Sequence, residues 1–230
     1  MDEQLLFENI AKLRERVRNS SQKSHYRRGK VRILAVSKTR PAADIRAAFS
    51  FGLTEFGESY LQEALEKMAE LADLPLVWHF IGPIQSNKTR PIAEHFDWVH
   101  SVDRLKIARR LSEQRPPGLS PLQVCLQVNV SGERTKSGVS PEELPDLLQQ
   151  VCSLPRLQVR GLMAIPAATD DAQQQRASFA GLRQSLERLQ QAEPGLDTLS
   201  MGMSGDLEAA IIEGATLVRV GTAIFGPRGG

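Results

Sequence analysis

Short apolar runs alternate with longer amphipathic segments along almost the whole chain. The runs read "VRILAVS" (31–37), "TEFGES" (54–59), "LVWHFIG" (76–82), "DWVHSVD" (97–103), "QVCLQVNV" (123–130), "QVRGLMAIP" (158–166), "DTLSMGM" (197–203) and "TLVRVG" (216–221), eight in all. Runs of this length, bounded by turn formers, predict strands. Between them, apolar residues recur at i, i+3 and i+4. One such segment is "PAADIRAAFSFG", with Pro41 in its first turn and Gly52 just past its end; another is "PEELPDLLQQVCSL", with Ser140 as N-cap. Strand followed by helix, eight times over, predicts a (β/α)8 TIM barrel of parallel, covered strands, with a doubly wound open sheet as the alternative.

The last run is followed only by "TAIFGPRGG", which is too short for a full outer helix. The opening segment "MDEQLLFENIAKLRERV" is amphipathic and predicts a helix over about residues 2–20. It is expected to cover the vacant slot with Leu5, Leu6, Ile10 and Leu13 as its buried stripe. No linker-like stretch or composition shift divides the chain, so residues 1–230 are expected to form a single domain, with 1–20 packing on the barrel.

Composition narrows the reading further. A chain of 230 residues with 41% hydrophobic side chains can bury a substantial core. Its 29 basic and 27 acidic side chains are interspersed, which predicts no nucleic-acid partner; the dense run "HYRRGKVR" (25–32) reads as a solvated loop leading into a strand. There is no basic n-region with an apolar h-region at the start and no 18-residue apolar run anywhere, so a soluble, cytoplasmic protein without a membrane partner is expected. Cys125 and Cys152 lack metal-ligand spacing and are expected to be buried, reduced thiols, with no metal site.

Reactive groups in such a barrel sit at the carboxyl ends of the strands, and a phosphate site commonly forms from the loops after strands seven and eight. Both loops here suit an anion: "GMSGDLEAAI" sets glycines around Ser204, and "VGTAIFG" opens a helical turn at Gly221 and Thr222. The tetrapeptide Lys-Thr-Arg-Pro occurs twice, at 38–41 and 88–91. Lys38 directly follows the first strand and so stands at the barrel mouth, where partial desolvation can keep an amine neutral and nucleophilic. Lys88 falls in a polar loop and reads as solvated. A lysine beside a phosphate site suggests a Schiff base with a phosphorylated carbonyl compound, either pyridoxal phosphate or a sugar phosphate. Arg219, inside the last strand, needs a specific partner: a carboxylate such as Glu208 or Glu213, or the pyridine nitrogen of a cofactor.

The motifs "ILAVSKT", "FGESYLQE", "WHFIGPIQSNK", "RGLMAI", "LSMGMSGDLEAAI" and "VRVGTAIFG" resemble those of the pyridoxal-phosphate homeostasis proteins, also called the YggS or proline-synthetase co-transcribed family. The likeness runs in register from about residue 30 to the C-terminus. It implies the fold-type-III barrel shared with the N-terminal domain of alanine racemase, with pyridoxal 5'-phosphate as cofactor. By the same resemblance Lys38 forms the internal aldimine, Arg219 faces the pyridine nitrogen, and Ser204, Gly221 and Thr222 hold the phosphate. His79, in "WHFIG", matches the family motif and is a candidate cofactor neighbour. The family usually reads Gly-Glu-Asn after strand two, where this chain has Ser59, a shorter side chain toward the ring.

The function so implied is intracellular carriage and buffering of pyridoxal phosphate, with no strong turnover. Free amino acids and apo-enzymes that use the cofactor are the expected partners, and the chain is expected to be a monomer. The alternatives are an amino-acid racemase-like enzyme and a cofactor-free Schiff-base aldolase. Racemisation needs an acid/base on each face of the cofactor. Of the two tyrosines, Tyr26 falls at the wrong mouth of the barrel and Tyr60 opens the helix after strand two.

Overall fold

The eight predicted strands appear in order as β1 (Arg32–Val36), β2 (Glu55–Glu58), β3 (Val77–Phe80), β4 (Trp98–Val102), β5 (Leu122–Gln127), β6 (Leu157–Met163), β7 (Thr198–Ser200) and β8 (Leu217–Val220). The structure, a computed structural model, describes residues 2–26, 29–132 and 137–227. Sequence neighbours pair in parallel, and β8 returns beside β1 with Arg32 opposite Leu217 and Leu34 opposite Arg219. That last pairing closes the barrel and excludes the open sheet.

The outer layer is α1 (Glu3–Lys23), α2 (Ala42–Ser50), α3 (Leu61–Glu70), α4 (Thr89–His95), α5 (Leu105–Gln114), α6 (Leu144–Cys152), α7 (Ala172–Leu189), α8 (Leu207–Ile212) and the single turn α9 (Thr222–Phe225). Asp2 caps α1 by accepting the Leu5 N–H at 2.9 Å. The helix lies against α8, α9 and α2, in the slot that α9 is too short to cover. Asn9 donates to the Ile224 carbonyl at 3.1 Å, and the Ser24 hydroxyl donates to the Ile212 carbonyl at 3.0 Å. Its buried stripe is Leu6, Ile10, Leu13 and Val17, each worth roughly 1.5–3 kcal/mol on burial. Leu5, expected in that stripe, is 48% exposed: the 3.6-residue period runs through Leu6, so its neighbour turns outward.

Two further expectations need correction. α6 begins at Leu144, not behind Ser140, because Pro145 has no N–H and fits only the first turn. Ser140 instead closes a turn just ahead of the helix, its hydroxyl accepting the Glu143 N–H at 3.2 Å. Cys152 is exposed, since the apolar stripe of α6 ends at Val151 and the next residue turns off it. Cys125 is buried inside the barrel, which pushes its thiol up to about 12.

The barrel has two interiors of opposite character. Between strands and helices the packing is apolar, with Phe56, Ile92, Leu111, Leu148 and Ile211 at 1% exposure or below or only just above it. The lumen is mixed: the Arg32 guanidinium lies 4.6 Å over the Trp98 ring and that of Arg160 lies 5.2 Å from it. Strand approach demands glycine at 161, where a Cβ would lie 1.9 Å from the Thr198 carbonyl oxygen.

Candidate functional site

Side-chain alternation along β1 carries Arg32, Leu34 and Val36 into the lumen. Ser37 extends the ladder by donating its N–H to the Gly57 carbonyl at 3.1 Å, so Lys38 falls on the luminal face at the carboxyl mouth, half-buried. The next residue, Thr39, sits at φ 65°, a left-handed conformation that costs a β-branched residue roughly 1–3 kcal/mol.

Helix α3 holds that turn from behind. Glu63 accepts the Thr39 N–H at 2.6 Å, and Lys67 Nζ donates to the Ser37 carbonyl at 2.8 Å, to Glu58 Oε1 at 2.8 Å and to Glu63 Oε1 at 2.5 Å. The Ser37 hydroxyl also donates to Glu58, at 2.6 Å. Glu58 is fully buried, and burial pushes its carboxyl upward against the pull of Lys67 and Ser37. This latch escaped the sequence reading, although a charged residue at the end of a short strand, followed five and nine residues later by Glu63 and Lys67 on one helix, was its signal.

The loops after β7 and β8 meet each other and the end of β1. The Ser204 hydroxyl accepts the Ala223 N–H at 3.2 Å, so it bridges the loops and does not cap α8, whose N-cap is Asp206. Gly202, at φ 92°, lets the β7 loop turn under Ala210, where a Cβ would approach within 2.6 Å. A Cβ on Gly221 would lie 3.2 Å from the Val36 carbonyl oxygen, two residues before Lys38. Thr222 is exposed in the first turn of α9, and Ser59 is half-buried at the end of β2. Thus Lys38, Ser59, Arg219, Ser204, Gly221 and Thr222 share one mouth. Lys88 also follows a strand, β3, but lies eight residues beyond its last residue, at the end of a 3-10 turn (Ser86–Lys88), and is exposed.

Arg219 is 4% exposed and makes no ion pair with Glu208 or Glu213, which bind Arg16 and Arg176. Its Nη1 donates to the Ser200 carbonyl at 2.6 Å and to the Ser200 hydroxyl at 2.8 Å, and its Nη2 to the Ala164 carbonyl at 2.9 Å. Burial draws its pKa down to about 10, so it remains a cation at neutral pH. A guanidinium has five N–H groups and no acceptor. Three are committed, which leaves Nε–H and one Nη2–H without a partner among the described residues. A buried, donor-only group with unspent donors, next to a lysine and two hydroxyl-bearing loops, fits a planar ligand with an unprotonated ring nitrogen and a phosphate.

His79 lies deeper than the mouth. It is fully buried, stacks on Trp98 at 5.4 Å and pairs with His100, so it reaches Arg219 only through other side chains. His100, Ser200 and Glu55, which join it there, were not singled out from the sequence. A polar residue inside an apolar strand needs a partner, and all of them carry that signal.

The chain matches the family model described as "Alanine racemase, N-terminal domain" over residues 8–229. It is 66% identical to the pyridoxal phosphate homeostasis protein of Pseudomonas aeruginosa, covering 96% of this chain and 95% of that one. The solved structure of PipY from Synechococcus elongatus with PLP bound superposes with a TM-score of 0.84 at 44% identity, covering 96% of this chain and all of PipY. Alanine racemase from Corynebacterium glutamicum shares the fold at a TM-score of 0.68 and 16% identity, covering 98% of this chain but 61% of the racemase.

Proposed function

The chain belongs to the pyridoxal phosphate homeostasis protein family, and from that premise we propose that its barrel mouth binds pyridoxal 5'-phosphate through Lys38, Arg219 and the two bridged loops. It is a pyridoxal-phosphate-binding protein of intracellular cofactor homeostasis. The observation that carries the site assignment is Arg219, a buried cation with two N–H donors uncommitted among the described residues.

When bound, the cofactor supplies an aldehyde that a neutral lysine amine can condense with, releasing water. Lys38 is the amine at the strand end, held there by the turn that Glu63 and Lys67 fasten. Arg219, which can only donate, would face the ring nitrogen with an N–H and so favour its unprotonated form. Ser204, Gly221 and Thr222 offer hydroxyl and backbone donors to the phosphate.

A carrier without strong turnover follows from the same residues. A ring nitrogen that accepts from arginine draws electrons weakly, so carbanion chemistry gains little. No second acid/base is positioned opposite Lys38 by a tyrosine: Tyr60 is 52% exposed at the start of α3, and Tyr26 lies under the Arg183 guanidinium, 3.8 Å from it. Among the described residues no helix is long and apolar enough to cross a membrane. We infer a cytoplasmic monomer, one cofactor-binding unit along its whole length, that exchanges the cofactor with apo-enzymes and meets free amino acids.

The test is to incubate the loaded protein with single L-amino acids and follow α-proton exchange into heavy water and chiral product. No sustained turnover is expected. Turnover of roughly 1 per second or faster, abolished by Tyr60→Phe, would overturn the carrier reading in favour of a racemase.

A further inference from the structure

We propose that His79, His100 and Ser200 are positioning residues for Arg219, forming a proton-ordered chain through the barrel lumen that is anchored at its far end by Glu55. The proposal rests on the assignment of Arg219 to the cofactor ring. The contacts cross five strands, with hydrogen bonds from Arg219 as far as His79 and a charge contact, outside hydrogen-bond geometry, from His79 to Glu55. Glu55 Oε2 lies 3.3 Å from His79 Nε2, His79 Nδ1 lies 2.9 Å from His100 Nε2, His100 Nδ1 lies 2.7 Å from the Ser200 hydroxyl, and that hydroxyl lies 2.8 Å from Arg219 Nη1. His79, His100 and Ser200 have no solvent exposure.

The ends of the chain dictate the order of its protons. Arginine only donates and a carboxylate only accepts. Arg219 therefore donates to Ser200, Ser200 to His100 Nδ1 and His100 Nε2–H to His79 Nδ1, which leaves the His79 proton on Nε2, the nitrogen 3.3 Å from the Glu55 carboxylate but without a hydrogen bond to it. Each imidazole is neutral and protonated on Nε2, and each link is used once. In the reversed order, the His79 Nε2 lone pair would face the Glu55 carboxylate and the Ser200 proton would lack its acceptor.

The surroundings agree. Burial lowers His79, against the raising effect of Glu55 and Asp97, with Arg32 also lowering it; burial lowers His100 further, helped by His79, Arg219 and Arg32. Arg32 grips Glu55 with Nη2 at 2.7 Å and Nε at 3.0 Å. Although burial alone would raise it, Glu55 is held at about 2 by His79 and Arg32. Asp206 faces Arg219 from the β7 loop. With Ser200 taking up both Nη1 protons through its hydroxyl and carbonyl, the guanidinium has one orientation, which fixes the direction of its unspent donors.

Nitrogen-15 NMR of the histidines in the cofactor-free protein tests the chain directly. Both buried imidazoles are expected as the Nε2–H tautomer, neutral and unchanged from about pH 5 to pH 9, whereas a free imidazole titrates near 6.5. An Nδ1–H tautomer at either residue, or ordinary titration, would overturn the proposal. Ser200→Ala should weaken retention of pyridoxal phosphate about tenfold and release the tautomer of His100, while Ser200→Thr restores both. Ser200→Ala that keeps the His100 tautomer and parental retention also overturns it. If the parent protein fails to bind pyridoxal phosphate at all, the site assignment falls, and the imidazole spectra still decide whether the chain exists.

Discussion

Lys-Thr-Arg-Pro at 38–41 and the same four residues at 88–91 take opposite structures. Thr39 has φ 65° and Thr89 has φ −65°. Lys38 lies in the turn two residues after a barrel strand and is half-buried; Lys88 ends a 3-10 turn and is exposed. Arg40 reaches across the mouth to the Gly226 carbonyl at 2.7 Å and the Pro227 carbonyl at 2.9 Å, whereas Arg90 is a surface cation 3.7 Å from Glu94. Pro41 is the N-cap of α2, and Pro91 lies inside the first turn of α4. The tetrapeptide encodes no conformation of its own. What precedes it does: a buried strand with α3 latched behind it in one case, and a solvent-facing turn in the other.

The two lysines provide the sharpest way to break this contrast. Lys38→Ala should abolish covalent retention of pyridoxal phosphate, and Lys88→Ala should leave it intact. Borohydride reduction followed by peptide mapping reads the difference, and a label on Lys88 in the parent protein would reverse the assignment.

The latch comes next in size. Lys67→Met leaves the buried Glu58 carboxylate without its cation, which should cost about 3–5 kcal/mol in urea unfolding. Lys88→Met, at an exposed site, should stay within about 0.5 kcal/mol.

Acid should weaken the carboxylate pairs of the barrel that carries the Lys38 copy, while the Arg110 guanidinium that holds Ser86 and Thr89 at the other copy keeps its charge. Glu55 has a folded-state pKa lowered from 4.5 to about 2, so the stability it contributes is present above pH 4.5 and is lost as pH falls toward 2. That amounts to on the order of 3 kcal/mol. Glu58 runs the other way: its raised folded-state pKa favours folding more as pH falls through it. Glu55→Gln isolates the first effect, and its unfolding free energy should lose that share of the acid slope relative to the parent. An identical slope in both proteins would show that Glu55 is not held down in the folded state.

The smallest effect lies in the threonines. Thr89 is fully buried, with its hydroxyl donating to the Ser86 carbonyl at 2.9 Å and accepting from Arg110 at 3.1 Å, so Thr89→Ala should cost about 1–2 kcal/mol. Thr39→Gly relieves a left-handed φ while freeing the unfolded chain, and its net change should stay below about 1 kcal/mol. Thermal melts of the two variants compare them, and a larger loss at Thr39 would mean that its side chain, and not its backbone, holds the turn.

The sequence by itself determined the strand–helix alternation, the place of Lys38 at a strand end, the anion-suited loops around Ser204 and Gly221, and the need for an amphipathic helix to cover the eighth slot. These are local matters: periodicity and glycine and proline chemistry act over a few residues, so the chain displays them wherever it goes. Tertiary structure decided the rest. It chose closure over an open sheet through the β1–β8 pairing, turned Leu5 and Cys152 outward, made Ser204 a bridge between loops, and set His79 in the middle of a chain that reaches Glu55. Closure, the loop bridge and the histidine chain depend on groups far apart in sequence, from 19 residues between Ser204 and Ala223 to 100 between His100 and Ser200. A polar residue in a strand announces that it needs a partner, but only closure of the barrel brings one within hydrogen-bond reach.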